Sequence, residues 1–262
     1  MAYSSIRLEM SGAVGVVVLD RPDKLNALSR LMVSELTEVA ERLAADPAVR
    51  CLVLAAEGRM FSAGADLEEF REGFESGDVD QSATEAESRL GSRLAAALED
   101  PELVTIVAVQ KAAIGGAAAL VAACDLRIFA EGARLVVPEL AMGVPLAWGG
   151  MERLVRDLGP AVVRDLVLTG RPLGAHEALA RGFACAVEPP ETLLERATSL
   201  AEAIARRPAL GTTIALRRLQ AISDRSDVAD DDAVSLARSA ADPEAIAATR
   251  AYLDSLSDPE PT

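Results

Sequence analysis

Apolar residues fall into two alternating kinds of segment along the first half of the chain. Short runs rich in β-branched residues predict buried strands, and these lie at residues 14–19, 49–55, 104–109 and 126–129. Segments with apolar residues at helical spacing lie between them, at residues 30–45 and 85–98. Strands that alternate with helices predict an α/β domain with a mainly parallel sheet.

The second half of the chain has a different pattern. Helical spacing predominates after residue 150, and it predicts helices at residues 151–168, 176–181, 191–206, 209–222, 231–241 and 243–256. The final residues SDPEPT are expected to be frayed. We therefore divide the chain into a core of residues 1–190 and a helical region of residues 191–262.

Composition and charge exclude several classes of protein. The chain has 262 residues, a net charge of −15 and 3% aromatic residues, so a large core must be built mainly from Ala, Val and Leu. The acidic balance opposes binding to nucleic acid, and no apolar run is long enough for a membrane span. The N-terminus lacks the plan of a signal peptide. We expect a cytoplasmic protein that binds neither nucleic acid nor membrane.

The inventory of reactive residues excludes several chemistries. The three cysteines, Cys51, Cys124 and Cys185, are widely spaced and are interpreted as small buried side chains, not as a disulfide or metal framework. His176 is the single histidine, and a surface position in a first helical turn is the ordinary interpretation for it. Nucleophile-elbow, HExxH, dinucleotide-binding and Walker patterns are missing from the sequence. We expect no metal site and no nicotinamide or ATP chemistry.

Two glycine-containing segments carry the remaining candidate chemistry. FSAGAD, residues 61–66, follows the second predicted strand, and Gly115-Gly116 follows the third. A helix that begins at Gly116 would present free backbone amides, while residues 117–121 are apolar on every side, as in a buried helix. Two interpretations stay open on spacing alone: a donor site for a ligand oxygen, or a tight turn with small residues for close packing.

An ordered set of motifs gives the chain its family resemblance. The set comprises DRPDKLNAL (20–28), FSAGADL (61–67), IGG (114–116), ACDLRI (123–128), PE (138–139), GG (149–150), RL (153–154), Gly159, LTGRPLGAHEA (168–178) and GF (182–183). In this order the chain resembles the crotonase, or enoyl-CoA hydratase/isomerase, superfamily over residues 1 to about 190. The resemblance implies an α/β fold made as a spiral of ββα units. It also implies a helical C-terminal region that forms a homotrimer or a dimer of trimers and covers the active site.

The resemblance also assigns roles to individual residues. It implies an acyl-CoA thioester as substrate, with no cofactor beyond the coenzyme A of that substrate. The backbone amides of Ala65 and Gly116 would form an oxyanion hole for an enolate. Glu139 would be the acid/base, although by itself it could be an ordinary surface carboxylate. The substrate- and CoA-binding positions implied are Lys24, Leu25, Ala27, Ala63, Ala65, Asp66, Leu67, Gly115, Gly116 and Trp148.

One departure from the family pattern bears on the reaction. Family hydratases place a first glutamate three residues after the oxyanion glycine, where this chain has Ala119. Hydration benefits from two groups, whereas one carboxylate can perform a 1,3-proton shift, as in Δ3,Δ2-enoyl-CoA isomerases. Glu68 and Glu69 are two further candidates for a second acid. Glutamates in such a segment more commonly lie on a solvent-exposed helix face. We therefore expect isomerase-like activity. Hydration, thioester hydrolysis, decarboxylation and inactive acyl-CoA binding are the alternatives.

Overall fold

The computed structural model describes residues 3–69, 81–223, 242–247 and 249. The chain divides into two compact units, residues 1–201 and residues 202–262. The roles predicted for a core of residues 1–190 and a C-terminal region of residues 191–262 stay predictions.

The strands of the first unit form two sheets. They are β1 (Ile6–Ser11), β2 (Val14–Leu19), β3 (Cys51–Ala56), β4 (Val104–Val109), β5 (Ala112–Ile114), β6 (Leu126–Ala130), β7 (Arg134–Val136), β8 (Leu173–Gly174) and β9 (Ala186–Glu188). The larger sheet has the order β1-β2-β3-β4-β6-β9, and only the β1–β2 pair is antiparallel. The smaller sheet has the order β5-β7-β8. The predicted α/β architecture with a mainly parallel sheet is confirmed.

The buried strands are those that the sequence pattern predicts. Every residue of β4 is buried, as expected for a central parallel strand that is covered on both faces. The pattern did not predict β1, which has several exposed residues, or the short strands β5, β7, β8 and β9. Strands of two or three residues contain too few positions to show a period of two.

The helices follow the predicted segments with one correction. They are α1 (Arg30–Ala44), α2 (Gln81–Leu98), α3 (Gly116–Ala123), α4 (Gly150–Leu158), α5 (Pro160–Thr169), α6 (Ala175–Ala180), α7 (Leu193–Ala205) and α8 (Ala209–Ser223). The single helix predicted over 151–168 is wrong. Gly159, with φ +78°, ends α4, and Pro160 begins α5 at a position where its missing N–H is tolerated.

The described part of the C-terminal region is helical. Residues 243–247 form a short helical stretch. The helix predicted over 231–241, most of that predicted over 243–256 and the tail at 257–262 lie outside the described residues. Within the described ranges, every helix is too short or too polar to cross a membrane.

The cysteine interpretation holds for two of the three residues. Cys51 and Cys124 are buried, and burial raises the pKa of their thiols to about 11 and about 12, respectively. Cys185 is exposed, so the prediction that it is buried was wrong. It directly precedes β9, which lies at the edge of the larger sheet, and its Sγ contacts the carbonyl oxygen of Arg127 at 3.2 Å.

Candidate active site

Two of the motif segments lie side by side and are joined through their backbones. The N–H of Ala63 donates to the carbonyl of Leu25 at 3.0 Å, and the N–H of Leu28 donates to the carbonyl of Gly64 at 2.8 Å. The N–H of Asp66 in turn donates to the carbonyl of Leu28 at 3.2 Å. The structure therefore brings together the turn after β2 and the loop after β3.

A partly buried ion pair holds this loop in place. Nη1 of Arg21 contacts Oδ2 of Asp66 at 2.8 Å and donates to the carbonyl of Ala27 at 2.6 Å. The Asp66 side chain is only 7% exposed. Its carboxylate is already engaged by Arg21, so Asp66 positions the loop and is not placed to act as a base. Sequence reasoning missed Arg21, although it belongs to the DRPDKLNAL motif.

The motif asparagine is a second residue that sequence reasoning missed. Asn26 is buried with φ +52°, and its side-chain amide donates to the carbonyls of Glu57 and Met60 at 2.8 and 2.9 Å. Asparagine tolerates the left-handed region better than most residues. A buried amide in a turn motif is the sequence signal that could have identified this anchor.

The two candidate oxyanion donors lie on neighbouring segments. Gly64 has φ +91°, and a Cβ built on it would lie 2.5 Å from the oxygen of Ile114 and 3.6 Å from the nitrogen of Gly116. Only glycine at position 64 lets the two backbones come this close. Gly64, which directly precedes Ala65, therefore lies against Gly116, the first residue of α3. Within the described residues, neither the Ala65 N–H nor the Gly116 N–H has a hydrogen-bond acceptor. Among these residues, nothing competes with a ligand oxygen for the two amides.

The carboxylate of Glu139 lies against the residue before this helix terminus. Gly115, with φ +57°, is the N-cap of α3, and a Cβ built on it would be 2.5 Å from Oε1 of Glu139. Glu139 is 8% exposed, and its buried Oε2 accepts no hydrogen bond from the described residues. Burial raises the pKa of Glu139 above its ordinary value. A carboxylate with a free oxygen and a raised pKa is suited to accept and return a proton.

At position 119, where family hydratases have a glutamate, this chain has an alanine with tightly packed surroundings. Ala119 lies on α3 and is fully buried. A Cβ built on Gly150, at the start of α4, would lie 2.7 Å from the Cβ of Ala119 and 2.9 Å from Cδ2 of Leu146. The space beside Ala119 is therefore occupied by the beginning of α4.

A small pocket lies beside Ala65. It is lined by Leu28, Arg30, Val33, Ala65, Glu69, Glu87, Leu90 and Trp148. Glu69 accepts a hydrogen bond from the backbone N–H of Arg30 at 2.9 Å, and Glu87 forms an ion pair with the Arg30 side chain. Glu68 lies outside the pocket lining and forms an exposed ion pair with Lys24 at 2.7 Å. Sequence reasoning considered both Glu68 and Glu69, but it did not identify Arg30 or Glu87.

The remaining residues predicted to bind substrate or CoA differ in their exposure. Lys24 and Leu67 are exposed, while Leu25, Ala27 and Ala63 are partly buried. Their assignment to CoA binding stays a prediction. His176 is exposed in the first turn of α6, so the surface interpretation is confirmed. The described residues include no group of three or more His, Cys, Asp and Glu side chains that could hold a metal ion.

Comparison with known proteins gives the family. The family model described as enoyl-CoA hydratase/isomerase matches residues 9–233. A probable enoyl-CoA hydratase of Rhizobium meliloti is 38% identical over 206 residues, which cover 78% of this chain and 77% of that protein. The crotonyl-CoA hydratase of Syntrophomonas wolfei is 33% identical, with coverage of 77% and 75%.

The solved structures agree with the sequence comparison. An enoyl-CoA hydratase from Shewanella pealeana superimposes with a TM-score of 0.85 at 27% identity, over 96% of this chain and 94% of that one. The chain therefore belongs to the enoyl-CoA hydratase/isomerase family of enzymes. The crotonase-like fold expected from the motif set is confirmed.

Proposed function

We propose that this enzyme moves a proton next to the thioester carbonyl of an acyl-CoA substrate, with Glu139 as the acid/base. The amides of Ala65 and Gly116 would donate to the thioester oxygen and stabilise the enolate as its charge develops. The observation that carries the proposal is the buried carboxylate of Glu139. Its Oε2 accepts no hydrogen bond from the residues that the structure describes, and its Oε1 lies against Gly115.

Isomerisation of a 3-enoyl-CoA to a 2-enoyl-CoA is the reaction that needs only this carboxylate. Glu139 would take a proton from C2, and the electron pair of that C–H bond would delocalise into a dienolate. Return of the same proton to C4 would place the double bond between C2 and C3. No water enters this reaction, which is consistent with the packing of Ala119 against the residues around Gly150.

Hydration is the second candidate because relatives are named as hydratases. The proteins from Rhizobium meliloti and Syntrophomonas wolfei both carry that name, and their names do not favour isomerisation. Hydration would need another group to hold the water, and Glu69 or Glu87 of the pocket would have to supply it. Both carboxylates already interact with Arg30.

The test is product analysis after incubation with matched 2-enoyl- and 3-enoyl-CoA thioesters. A shift in chromatographic retention without a mass change indicates isomerisation, and a gain of one water indicates hydration. Release of free CoA or loss of carbon dioxide would instead indicate thioester hydrolysis or decarboxylation.

Two variants connect the product to the site. Glu139→Gln removes the base while preserving the size of the side chain, and it should abolish turnover with acyl-CoA binding retained. Glu131→Gln alters an exposed glutamate in a turn and serves as the matched control. If the unmodified protein binds acyl-CoA but converts none of these substrates, inactive acyl-CoA binding replaces catalysis as the best description.

The cofactor and assembly expectations form part of the same proposal. Proton transfer through an enolate needs no group beyond the residues above and the CoA of the substrate. We propose that the enzyme assembles as a homotrimer or a dimer of trimers. Sedimentation equilibrium tests this directly, and a stable monomer would contradict it.

A further inference from the structure

The indole of Trp148 packs between helix α2 and the beginning of helix α3. A Cβ built on Gly116 would lie 3.0–3.3 Å from three carbons of the six-membered ring of the indole. At Gly91, within α2, a Cβ would overlap the indole itself. Glycine at these two positions therefore leaves the space that the ring occupies.

The backbone holds this indole in a fixed position. Trp148 has φ +60°, which is unusual for a bulky residue and persists only when the surroundings impose it. Nη1 of Arg153 donates to the carbonyls of Trp148 and Gly149 at 3.0 and 3.1 Å. Arg153 is in turn held by an ion pair with Glu99. These contacts fix the backbone that carries the indole, and we refer to the ring as the indole wall.

This wall bounds the pocket that contains one of the oxyanion donors. Trp148 and Ala65 line the same pocket, together with the apolar side chains of Leu28, Val33 and Leu90. The pocket encloses about 280 Å³ including its open mouth. Because this figure counts open solvent at the mouth, the enclosed part of the pocket is smaller still.

We infer that Trp148, seated against Gly91, restricts the enzyme to short acyl chains and is a specificity-determining residue. The inference rests on the proposed function, because it takes the pocket beside Ala65 as the acyl site. A thioester oxygen held by the Ala65 and Gly116 amides places the carbonyl carbon next to the indole, which contacts Gly116. The acyl chain must then extend past the ring, and the ring limits the chain length that the pocket can accept.

The first test measures binding and needs no turnover. Trp148 is the single tryptophan of the chain, so tryptophan fluorescence reports on this pocket alone. Saturated butanoyl-CoA should change the emission and bind more tightly than decanoyl-CoA, while free CoA should leave the emission nearly unchanged. Equal affinity for the two acyl-CoAs in the unmodified protein would overturn the inference.

The second test enlarges the pocket. In Trp148→Leu, isothermal titration should show affinity for decanoyl-CoA rising by about tenfold or more, because added hydrocarbon can now be buried. The affinity for butanoyl-CoA should fall, since contacts with the ring are lost. An unchanged preference between the two chain lengths would show that the wall lies elsewhere.

The third test uses the glycine partner with a matched control. Gly91→Ala should displace the indole and weaken butanoyl-CoA binding, whereas adding Gly91→Ala to Trp148→Leu should weaken that binding no further than Trp148→Leu alone does. Gly211→Ala, also within a helix but with open space around the position, should leave binding unchanged. If Gly91→Ala binds butanoyl-CoA as the unmodified protein does, the contact with Gly91 does not shape the pocket.

The outcomes separate this inference from the proposed reaction. Chain-length selection without turnover would support the role of Trp148 and contradict the proposed catalysis. Turnover of short and long thioesters at equal kcat/KM would support the proposed catalysis and contradict the role of Trp148. Failure to bind any acyl-CoA would overturn both.

Discussion

Oε1 of Glu139 lies so close to Gly115 that a Cβ on this glycine would be 2.5 Å from the oxygen. Gly115 is also the N-cap of helix α3, directly before the Gly116 amide. The proposed base and the proposed oxyanion donor are therefore held in place through adjacent backbone positions. Changes at Gly115 should affect the carboxylate before they affect the remainder of the fold.

The first prediction follows from this contact. Gly115→Ala should lower kcat by about a hundredfold, because it displaces the Glu139 carboxylate from its reacting position. Gly132→Ala is the matched control, since Gly132 has φ +72° and open space around it. Both variants should lose about 1–2 kcal/mol of unfolding free energy from the left-handed backbone. Equal activity in the two variants would contradict the positioning of Glu139 by Gly115.

The second prediction concerns the pH dependence of activity. Burial raises the pKa of Glu139, and the carboxylate must be ionised to take a proton. The kcat/KM profile should therefore rise with pH through a pKa above that of an ordinary glutamate. If the acid limb of the kcat/KM profile gives a pKa at or below that of an ordinary glutamate, a group other than Glu139 is titrating.

The third prediction applies the same shift to stability. Because the folded-state pKa of Glu139 is raised, protonation stabilises the fold, and this contribution is lost as pH rises through the folded-state pKa. Glu139→Gln removes the cost of burying the charge. Denaturant unfolding should show the variant to be more stable than the unmodified protein at neutral pH. The difference should disappear below the ordinary glutamate pKa.

The fourth prediction tests whether the alanine position can accept an acid. Ala119→Glu should lower the unfolding free energy by about 3 kcal/mol, because it buries an unpaired charge against the packed residues around Gly150. It should not increase hydration. Ala161→Glu adds the same charge at an exposed position of α5 and should change stability little. A stable Ala119→Glu variant with increased hydration would contradict this account.

The fifth prediction concerns the loop that carries Ala65. Asp66→Asn should lower the unfolding free energy by about 2 kcal/mol, because it weakens the pair between the buried Asp66 carboxylate and the partly exposed Arg21. It should also reduce kcat/KM without moving the pH profile, since Asp66 positions the loop and takes no part in the proposed proton transfer. Glu41→Gln weakens the exposed pair with Arg93 and should have a much smaller effect on stability. A displaced pH profile in Asp66→Asn would give Asp66 a direct role.

The sequence by itself determined the parts of this protein that depend on local order. The runs that form β2, β3, β4 and β6 are visible as short apolar segments rich in β-branched residues. The helix that begins at Gly116 is visible as a continuous apolar run after a glycine pair. The motif series was also sufficient to identify the family, and His176 could be placed on the surface.

Only the tertiary structure decided which distant residues meet. The short strands β5, β7, β8 and β9 form through pairing with partners far along the chain. The contacts of Glu139 with Gly115 and of Trp148 with Gly91 join segments that have no shared period. The same is true of Arg30 with Glu87, whose ion pair joins α1 to α2 at the pocket. Local hydrophobic patterns specify which face of an element is buried, but long-range packing chooses the residues that face each other across the site.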